Sequence, residues 1–366
     1  MRNSRFFVHA GIAALLLTAH AGATTAQTLA AQPEAGKPVR VVSLSFKQGA
    51  SLETIAAIVD AEGAKGVDLI VLPEAWRGND VVEPLTGPQI TTMSGLAKKH
   101  HCYVVCPIYR EDKGRRLNTA VLIDRTGKVV SVYDKIYPYW NEFDMTPPAL
   151  PGQADVGVYD ADFGRIGFAT CFDAKFPEVF QRLRDRGAEL VVWPSAYSGF
   201  TELQAFALLH HYYIVTSTLT GDSILYDITG AIASDQRGTG GVTVARFALD
   251  MDRMIYHYNF NLEKRARLLA EHSADVALDA DMPREEWFVL KARRPGISVR
   301  SLAREYGLEE LRSYQDRSRT GVDALRGFSF SDRYGGYPGQ KARGTARGPE
   351  GPPPHAQTPP REASKP

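Results

Sequence analysis

The segment RIGFATCFDAKFPE (residues 165–178) places one cysteine between an apolar run and the start of a helix. The run GRIGFAT (164–170) predicts a buried strand, and Pro177 and Glu178 suit a first helical turn. Cys171 should therefore lie at the end of a strand, beside backbone N–H groups that favour a thiolate and can bind an oxyanion. A buried core cysteine is the commoner outcome after an apolar run. This position alone leaves a structural and a functional role open.

On both sides of this segment, short runs rich in Val, Ile and Leu alternate with helical patterns. VRVVSLSF (39–46) predicts a strand, SLETIAAIVDAEGAKG (51–66) a capped helix, and VDLIVLP (67–73) a buried strand. After the cysteine, FPEVFQRLRDRG (176–187) predicts a helix and AELVVWP (188–194) the next strand. This alternation predicts an α/β fold with a layered core.

Three consecutive predicted strands have no helix between them: CYVVCPIY (102–109), LNTAVLID (117–124) and KVVSVYDK (128–135). The glycine of the connecting RTGK suits a tight hairpin turn. Part of the sheet is therefore expected to be antiparallel. With the late strands, which end near Asn261, these elements predict one domain over residues 39–262.

The two ends of the chain have different compositions. Residues 1–26 read as a secretory signal peptide, because Arg2 and Arg5 precede an apolar run that is too short to cross a bilayer. An uncleaved anchor is the alternative. The leader predicts an exported protein, periplasmic or secreted. Residues 263–330 are expected to form a helical C-terminal extension, and the Pro/Gly-rich residues 331–366 a disordered tail.

The charge balance and the cysteines exclude some classes of protein. With 43 basic and 42 acidic side chains, nothing favours nucleic acid or an anionic membrane as a partner. Cys102 and Cys106 fall in one predicted strand, where four residues span roughly 13 Å, beyond the roughly 7 Å limit for a bridge. A disulfide is therefore not expected, and Cys171 is predicted to be a free thiol.

A nucleophilic cysteine needs a base, and the nine histidines do not supply an obvious one. The pairs 100–101 and 210–211 close helical segments, where neighbouring side chains point to different sides, so metal ligation is not expected. Glu74, in VDLIVLPEAWRG, follows a buried strand at the sheet end where sites gather. Apolar neighbours such as Trp76 disfavour its charged form, which suits proton transfer. A loop acid or a helix cap is the structural alternative.

Lys135 also closes a strand and enters a loop rich in aromatic residues. A fixed ammonium there could stabilise an oxyanion, and Glu142, seven residues on, could orient it. Taken alone, a lysine such as Lys135 is more often a solvent-exposed surface residue than a catalytic one.

Together, PEAW at Glu74, YDKIYPYW at Lys135 and GFATCFDAKFPE at Cys171 resemble the three signatures of the nitrilase, or carbon-nitrogen hydrolase, superfamily. The resemblance covers roughly residues 39–250. It implies a four-layer αββα sandwich, in subunits that pair as homodimers or higher homo-oligomers. It also implies Glu74 as general base, Lys135 as oxyanion stabiliser and Cys171 as nucleophile, with no metal or organic cofactor.

The resemblance extends to supporting residues. The backbone N–H of Phe172 is the expected second oxyanion donor, and Glu142 should contact Lys135 or position the substrate. The remaining candidates for lining the pocket or positioning the substrate are Tyr139, Trp140, Lys175, Ser195 and Ala196, although they could also simply pack around it. Many relatives have Arg where this chain has Lys175, which loses the bidentate fork for a carboxylate and weakens the prediction of an acidic substrate.

The two residues that follow Cys171 narrow the range of bonds that the protein is expected to cleave. Nitrile-cleaving members typically have Trp-Glu there, whereas this chain has Phe172 and Asp173, as in the amidase, ω-amidase and N-carbamoyl hydrolase branches. The prediction is an exported thiol hydrolase that cleaves a non-peptide C–N bond, amide or N-carbamoyl, of a small molecule through a cysteine thioester. Nitrile hydrolysis, N-acyl transfer on the same triad and a catalytically silent binding scaffold remain alternatives.

Overall fold

A computed structural model describes residues 35–154 and 156–327 of the chain. The predicted leader (1–26) and the predicted tail (331–366) lie outside the described residues. The elements, in chain order, have the following bounds.

The strands are β1 (Pro38–Ser45), β2 (Leu69–Val71), β3 (Val82–Glu83), β4 (Tyr103–Asp112), β5 (Arg115–Ile123), β6 (Val129–Asp134), β7 (Ala149–Leu150), β8 (Val158–Ala161), β9 (Gly164–Phe168), β10 (Leu190–Ser195), β11 (Tyr213–Thr218), β12 (Asp222–Tyr226), β13 (Ile232–Arg237), β14 (Thr243–Asp250), β15 (Met254–His257), β16 (Val276–Met282) and β17 (Trp287–Ala292). The helices are α1 (Leu52–Gly63), α2 (Pro88–His100), α3 (Pro177–Asp185), α4 (Phe200–His210), α5 (Leu262–Glu271), α6 (Val299–Glu305) and α7 (Leu311–Arg326).

Two mixed sheets form the main body of the fold. The first has the strand order β14-β1-β2-β4-β5-β6, with β3 beside β4 and β7 beside β5. The second has the order β13-β12-β11-β10-β9-β8. In each sheet the central strands run parallel and the outer ones antiparallel, because helices connect the former and short turns connect most of the latter. The antiparallel strands predicted from the sequence are confirmed.

Helices cover the outer face of each sheet, and the inner faces pack together. On β1, Val41 belongs to the core between the sheets, whereas Val42 packs with residues of α1 and α2. Residues of α3 and α4 pack against the second sheet in the same way. Strands buried on both faces have continuous apolar runs instead of alternating ones. The predicted four-layer αββα sandwich is confirmed.

Hydroxyl groups join the two sheets where β1 faces β12. Ser43 and Ser45, on the inner face of β1, lie with their Oγ atoms 2.9 and 2.7 Å from Oγ of Ser223. On β11, the Ser217 hydroxyl donates to the carbonyl of Leu44 at 2.5 Å. All four hydroxyl groups are buried. We call this set the hydroxyl seam; its directional bonds fix how the sheets are placed relative to each other.

The described part of the C-terminal extension contains helices α5, α6 and α7, as predicted, but also two strands that were not predicted. Strands β16 and β17 pair with β15 in a third, separate sheet. Residues 263–330 were expected to be helical, whereas the run from Trp287 to Leu290 becomes a strand. Trp287 and Val289 pack into the main core, and Phe288 and Leu290 pack into a smaller local core.

This extension packs on the second sheet at the end opposite Cys171. Arg312 of α7 donates to the carbonyls of Ala188 at 2.9 Å and Arg184 at 2.7 Å. Arg184 also pairs with Asp316. Ala188 lies just before β10, whose other end leads into the cavity described below. We call these contacts the docking contacts.

Candidate active site

The three residues predicted to carry the chemistry meet at one cavity. Glu74 follows β2, Lys135 follows β6 and Cys171 follows β9. All three line a cavity of about 250 Å³. Glu74 and Lys135 come from the first sheet and Cys171 from the second, so the cavity depends on the way the sheets pack.

Three charged side chains form the floor of the cavity. The Lys135 ammonium lies 2.8 Å from Oε1 of Glu74 and 2.6 Å from Oε2 of Glu142. All three residues are buried. Burial alone would lower the pKa of Lys135, but the negative charges of Glu74 and Glu142 raise that pKa well above its ordinary value. The lysine therefore carries a fixed positive charge at neutral pH.

An asparagine that the sequence prediction missed joins the two glutamates. Nδ2 of Asn118 donates to Oε1 of Glu74 at 2.7 Å and to Oε1 of Glu142 at 2.8 Å. The Tyr109 hydroxyl, also missed, donates to Glu142 at 3.2 Å. A signal was present, since Asn118 is a polar residue at the start of the apolar strand LNTAVLID. Oε2 of Glu74 is buried without a partner among the described residues, which leaves one carboxylate oxygen for an incoming proton.

The backbone around Cys171 forms a tight turn with φ of 47° at the cysteine itself. A 3₁₀ turn follows over Cys171–Lys175. Asp173 holds this turn, because its carboxylate accepts from the backbone N–H of Thr170 at 2.8 Å and the hydroxyl of Tyr133 at 2.7 Å. Burial raises the pKa of Asp173 to about 6, although these hydrogen bonds oppose the shift. The thiol is thus presented from a turn in the left-handed region, which non-glycine residues rarely adopt.

The surroundings of the Cys171 sulfur favour its protonated form. Burial, followed by the negative charge of Glu74, raises the pKa of the thiol, while Lys135 and the backbone N–H of Ala196 lower it. A thiol that stays protonated at neutral pH needs a base when it attacks. Glu74 lines the same cavity and has an unpartnered oxygen.

The other predicted site residues fall into two groups: those that lie in or beside the cavity and those that lie outside it. Tyr139 and Ala196 line the cavity, and the ring of Phe172 packs against Tyr139 with centroids 5.1 Å apart. Ser195 is buried beside Cys171: its Oγ accepts from the N–H of Tyr197 at 2.9 Å, and its hydrogen bond to the sulfur acts to lower the pKa of the thiol.

The structure does not bring Trp140 or Lys175 into the cavity. Trp140 begins a 3₁₀ turn and is 62% exposed, because Glu142 of the same turn takes the inward position. Lys175 pairs with Glu202 and lies over the ring of Tyr197. Trp76 is a core residue that packs on Phe46.

Neither metal clusters nor membrane helices occur in the described ranges. Among residues 35–154 and 156–327, no group of three or more His, Cys, Asp or Glu side chains is arranged to hold a metal ion. None of the helices within these ranges is long and apolar enough to span a membrane. Cys102, Cys106 and Cys171 are all free thiols, as expected.

The fold and this cavity define a hydrolase of the αββα type, and sequence comparison identifies its family. The sequence model of the carbon-nitrogen hydrolase family matches residues 34–255. The chain belongs to the carbon-nitrogen hydrolase family. Its general activity is therefore the hydrolysis of a carbon–nitrogen bond.

Similar proteins include two enzymes and one solved structure. A deaminated glutathione amidase from Synechocystis sp. is 24% identical over 251 residues, covering 59% of this chain and 92% of that protein. A beta-ureidopropionase from Arabidopsis thaliana is 30% identical over 162 residues, covering 40% of each chain. The solved structure of a variant amidase from Nesterenkonia sp. AN1, of the nitrilase superfamily, has a TM-score of 0.52 at 19% identity and covers 66% of this chain and 98% of that one. The last similarity concerns the fold alone.

Proposed function

We propose that this protein hydrolyses a small, non-peptide amide or N-carbamoyl compound through a thioester on Cys171. The observation that carries the proposal is the shared cavity of Glu74, Lys135 and Cys171, in which a protonated thiol faces a carboxylate with an unpartnered oxygen. The names of the relatives agree with this class, since one is an amidase and the other acts on a ureido compound.

In the first half of the reaction, Oε2 of Glu74 takes the thiol proton while the sulfur of Cys171 attacks the carbonyl carbon. The oxyanion that forms is stabilised by the ammonium of Lys135 and the backbone N–H of Phe172. Glu74 then returns the proton to the leaving nitrogen. The C–N bond breaks, an amine or ammonia departs, and a thioester remains.

In the second half, Glu74 takes a proton from water, and the resulting nucleophile attacks the thioester carbon. The acid leaves and the thiol of Cys171 regains its proton, so that the enzyme returns to its starting state. Asn118 acts through Glu74 and Glu142 acts through Lys135, because each holds that group by a hydrogen bond. They are positioning residues.

The preferred substrate type and the location of the enzyme are proposed from the sequence. Phe172 and Asp173 after the nucleophile favour amide or ureide substrates over nitriles, and the leader favours a periplasmic or secreted enzyme. A homodimer or higher homo-oligomer is the proposed assembly. Nitrile hydrolysis and N-acyl transfer use the same three residues and stay as alternatives. Nitrile hydrolysis is distinguished by the substrate that is accepted, because nitriles and primary amides both yield an acid and ammonia, whereas acyl transfer is distinguished by its product, a new amide.

The test is a panel of amides, N-carbamoyl amino acids and nitriles, with product analysis and intact-mass detection. Fluoroacetamide is a suitable covalent probe, since its acetamide moiety is attached to the active-site cysteine in the Nesterenkonia amidase structure. We expect turnover of at least one amide or carbamoyl compound and one added acetamide moiety on this protein. Cys171→Ala should abolish both.

Cys106→Ala is the matched control, because Cys106 is also a buried free thiol but belongs to the core. It should retain both turnover and labelling. Turnover that survives in Cys171→Ala would contradict the proposed nucleophile. Absence of turnover and of any adduct over the whole panel would favour the silent scaffold.

A further inference from the structure

A second cavity lies where the C-terminal extension meets helices α3 and α4. It has a volume of about 580 Å³, within the roughly 300–1,000 Å³ of pockets that hold small molecules. We call it the inter-helix cavity. It shares no lining residue with the active-site cavity. Its polar lining residues are Gln181 and Arg184 of α3, His210 of α4, and Gln315, Ser318 and Arg319 of α7.

A buried histidine faces the inter-helix cavity without a hydrogen-bond partner. His210 lines this cavity and is only 7% exposed, yet neither of its ring nitrogens makes a hydrogen bond or an ion pair within the described residues. Its ring is held by aromatic neighbours, since it stacks on Phe206 with centroids 6.1 Å apart and lies 5.5 Å from the ring of Tyr212. Buried polar side chains normally have a partner. A ligand in the cavity would supply one.

The charges that act on His210 are positive. Burial, followed by the positive charges of Arg184, Arg312 and Arg319, lowers the pKa of His210 to about 3. The neighbouring His211 is also affected: burial lowers its pKa to about 4. Both imidazoles are therefore neutral at neutral pH, and an anion beside His210 would reverse the sign of the local field.

No carboxylate lines the inter-helix cavity. The two acids that pair with its arginines, Asp185 and Asp316, line a neighbouring cavity instead. Asp185 lies 3.2 Å from Arg184 and 3.4 Å from Arg319, and Asp316 pairs with Arg184. Arg312 is bonded to backbone carbonyls. Three guanidinium groups thus face two carboxylates, which leaves an excess of positive charge beside the cavity.

We propose that the inter-helix cavity binds a small molecule through a carboxylate or phosphate group. The oxyanion pairs with Arg319 and accepts hydrogen bonds from the Ser318 hydroxyl and the side-chain amide of Gln315. Oε1 of Gln315 accepts from Arg184 at 3.2 Å, so its Nε2 is left to donate. The oxyanion also gives His210 the partner that it lacks. Because the ligand contacts α4 and α7 together, it fastens the C-terminal extension to the hydrolase domain.

The experiment measures anion binding by calorimetry and by thermal unfolding. The probes are inorganic phosphate, sulfate and succinate at millimolar concentration, with chloride at matched ionic strength as the reference. We expect the wild type to bind at least one probe and to melt at a higher temperature in its presence. The phosphate and succinate arms distinguish a phosphate-bearing from a carboxylate-bearing ligand. Because phosphate and sulfate also stabilise proteins by exclusion from their surfaces, the decisive quantity is the difference between the wild type and its variants.

Arg319→Met should weaken the binding by about tenfold, the effect of losing one charged hydrogen bond, and should abolish the rise in melting temperature. Arg317→Met is the matched control, because Arg317 lies on the same helix but pairs with Glu309 and does not line the cavity. It should bind the anion as the wild type does. Equal binding by Arg319→Met, Arg317→Met and the wild type overturns the proposal. So does a wild type that binds none of the three anions.

His210→Phe separates a ligand-binding role of His210 from a structural one. Phenylalanine keeps an aromatic ring in this position but has no ring nitrogen. A bound anion should raise the pKa of His210, so binding of sulfate to the wild type should tighten, by up to about tenfold, as the pH falls from about 8 to about 5. Sulfate keeps its own charge over this range. His210→Phe should bind sulfate more weakly and without this change. An affinity and a pH dependence equal to those of the wild type overturn the proposal.

Discussion

The active-site cavity and the docking contacts of the C-terminal extension both bury charged side chains, but they compensate them differently. In the cavity, Lys135 lies between two carboxylates. The docking contacts include the ion pair of Arg184 with Asp316, but their buried Arg312 donates to two backbone carbonyls, and burial followed by the charge of Arg184 lowers its pKa. Charges that face charges in a cavity can take part in chemistry. Charges that face carbonyls inside a contact hold two parts of the chain together.

The largest loss of activity is expected from a substitution that breaks the network of charged side chains in the cavity. Lys135→Met should lower kcat by on the order of 10²–10³, the usual effect of losing one oxyanion donor, and it leaves two buried carboxylates facing each other. Steady-state kinetics on whichever amide the wild type hydrolyses measures this effect. Arg312→Met is the matched control and should keep kcat within about twofold, since it lies at the opposite end of the second sheet. Equal losses of kcat in Lys135→Met and Arg312→Met would contradict the difference between the cavity and the docking contacts.

A pH measurement on Asp173 tests a buried carboxyl that has neutral donors in place of a cation. Its pKa is raised from 3.8 to about 6, so the folded state holds the proton more tightly than the unfolded chain. This stabilisation is complete below about pH 4 and is lost as the pH rises through about 6, a change of roughly 3 kcal/mol in the free energy of unfolding.

Denaturant titrations from pH 4 to pH 7 should show this decline in the wild type relative to Asp173→Asn, which lacks the titrating group. Parallel curves for the two proteins would contradict the raised pKa. Because Asp173 holds the turn of the nucleophile, activity should also fall in the variant.

The docking contacts carry the next effect. Arg312→Met leaves two buried carbonyls without their donor and should lower the free energy of unfolding by about 1–3 kcal/mol. Chemical denaturation measures it. Stability equal to the wild type would mean that the extension does not depend on this arginine.

The smallest expected effect concerns Asn118. Asn118→Ala removes the amide that joins Glu74 to Glu142 and should lower kcat by about tenfold, with little change in KM, since one positioning hydrogen bond contributes about 1 kcal/mol or somewhat more when it is made to a charged group. The Asn118→Asp variant, which adds a third carboxylate, should be worse. An unchanged kcat in both would show that the glutamates hold their places without it.

Much of the cavity could be predicted because its main residues follow strands in distinctive segments. Glu74, Lys135 and Cys171 each follow a predicted strand in a segment that resembles a family signature, and the structure brings them together. Asn118 was missed because its role depends on which face of β5 it occupies. Trp140 was expected near the substrate, but neighbouring residues of a 3₁₀ turn point in different directions, which the sequence does not reveal.

The main fold followed from local patterns, whereas the third sheet did not. Strands β1, β2 and β10 can be predicted from the sequence because they are rich in Val, Ile and Leu. Strands β16 and β17 depend on a small core that collects residues from several elements between Tyr256 and Leu308, and on the main core, into which Trp287 and Val289 pack. Their formation depends on tertiary packing, which overrides local propensity.

The hydroxyl seam has a consequence for the recombination of related sequences. Glu74 and Lys135 belong to one sheet and Cys171 to the other, while Ser43 and Ser45 meet Ser223 across the boundary. A chimera that takes each sheet from a different homologue would combine two seam halves that were never selected together. An active hybrid should therefore take all residues of the hydroxyl seam from the same homologue. It should also take β14 from that homologue, because β14 comes from the second half of the chain but pairs with β1.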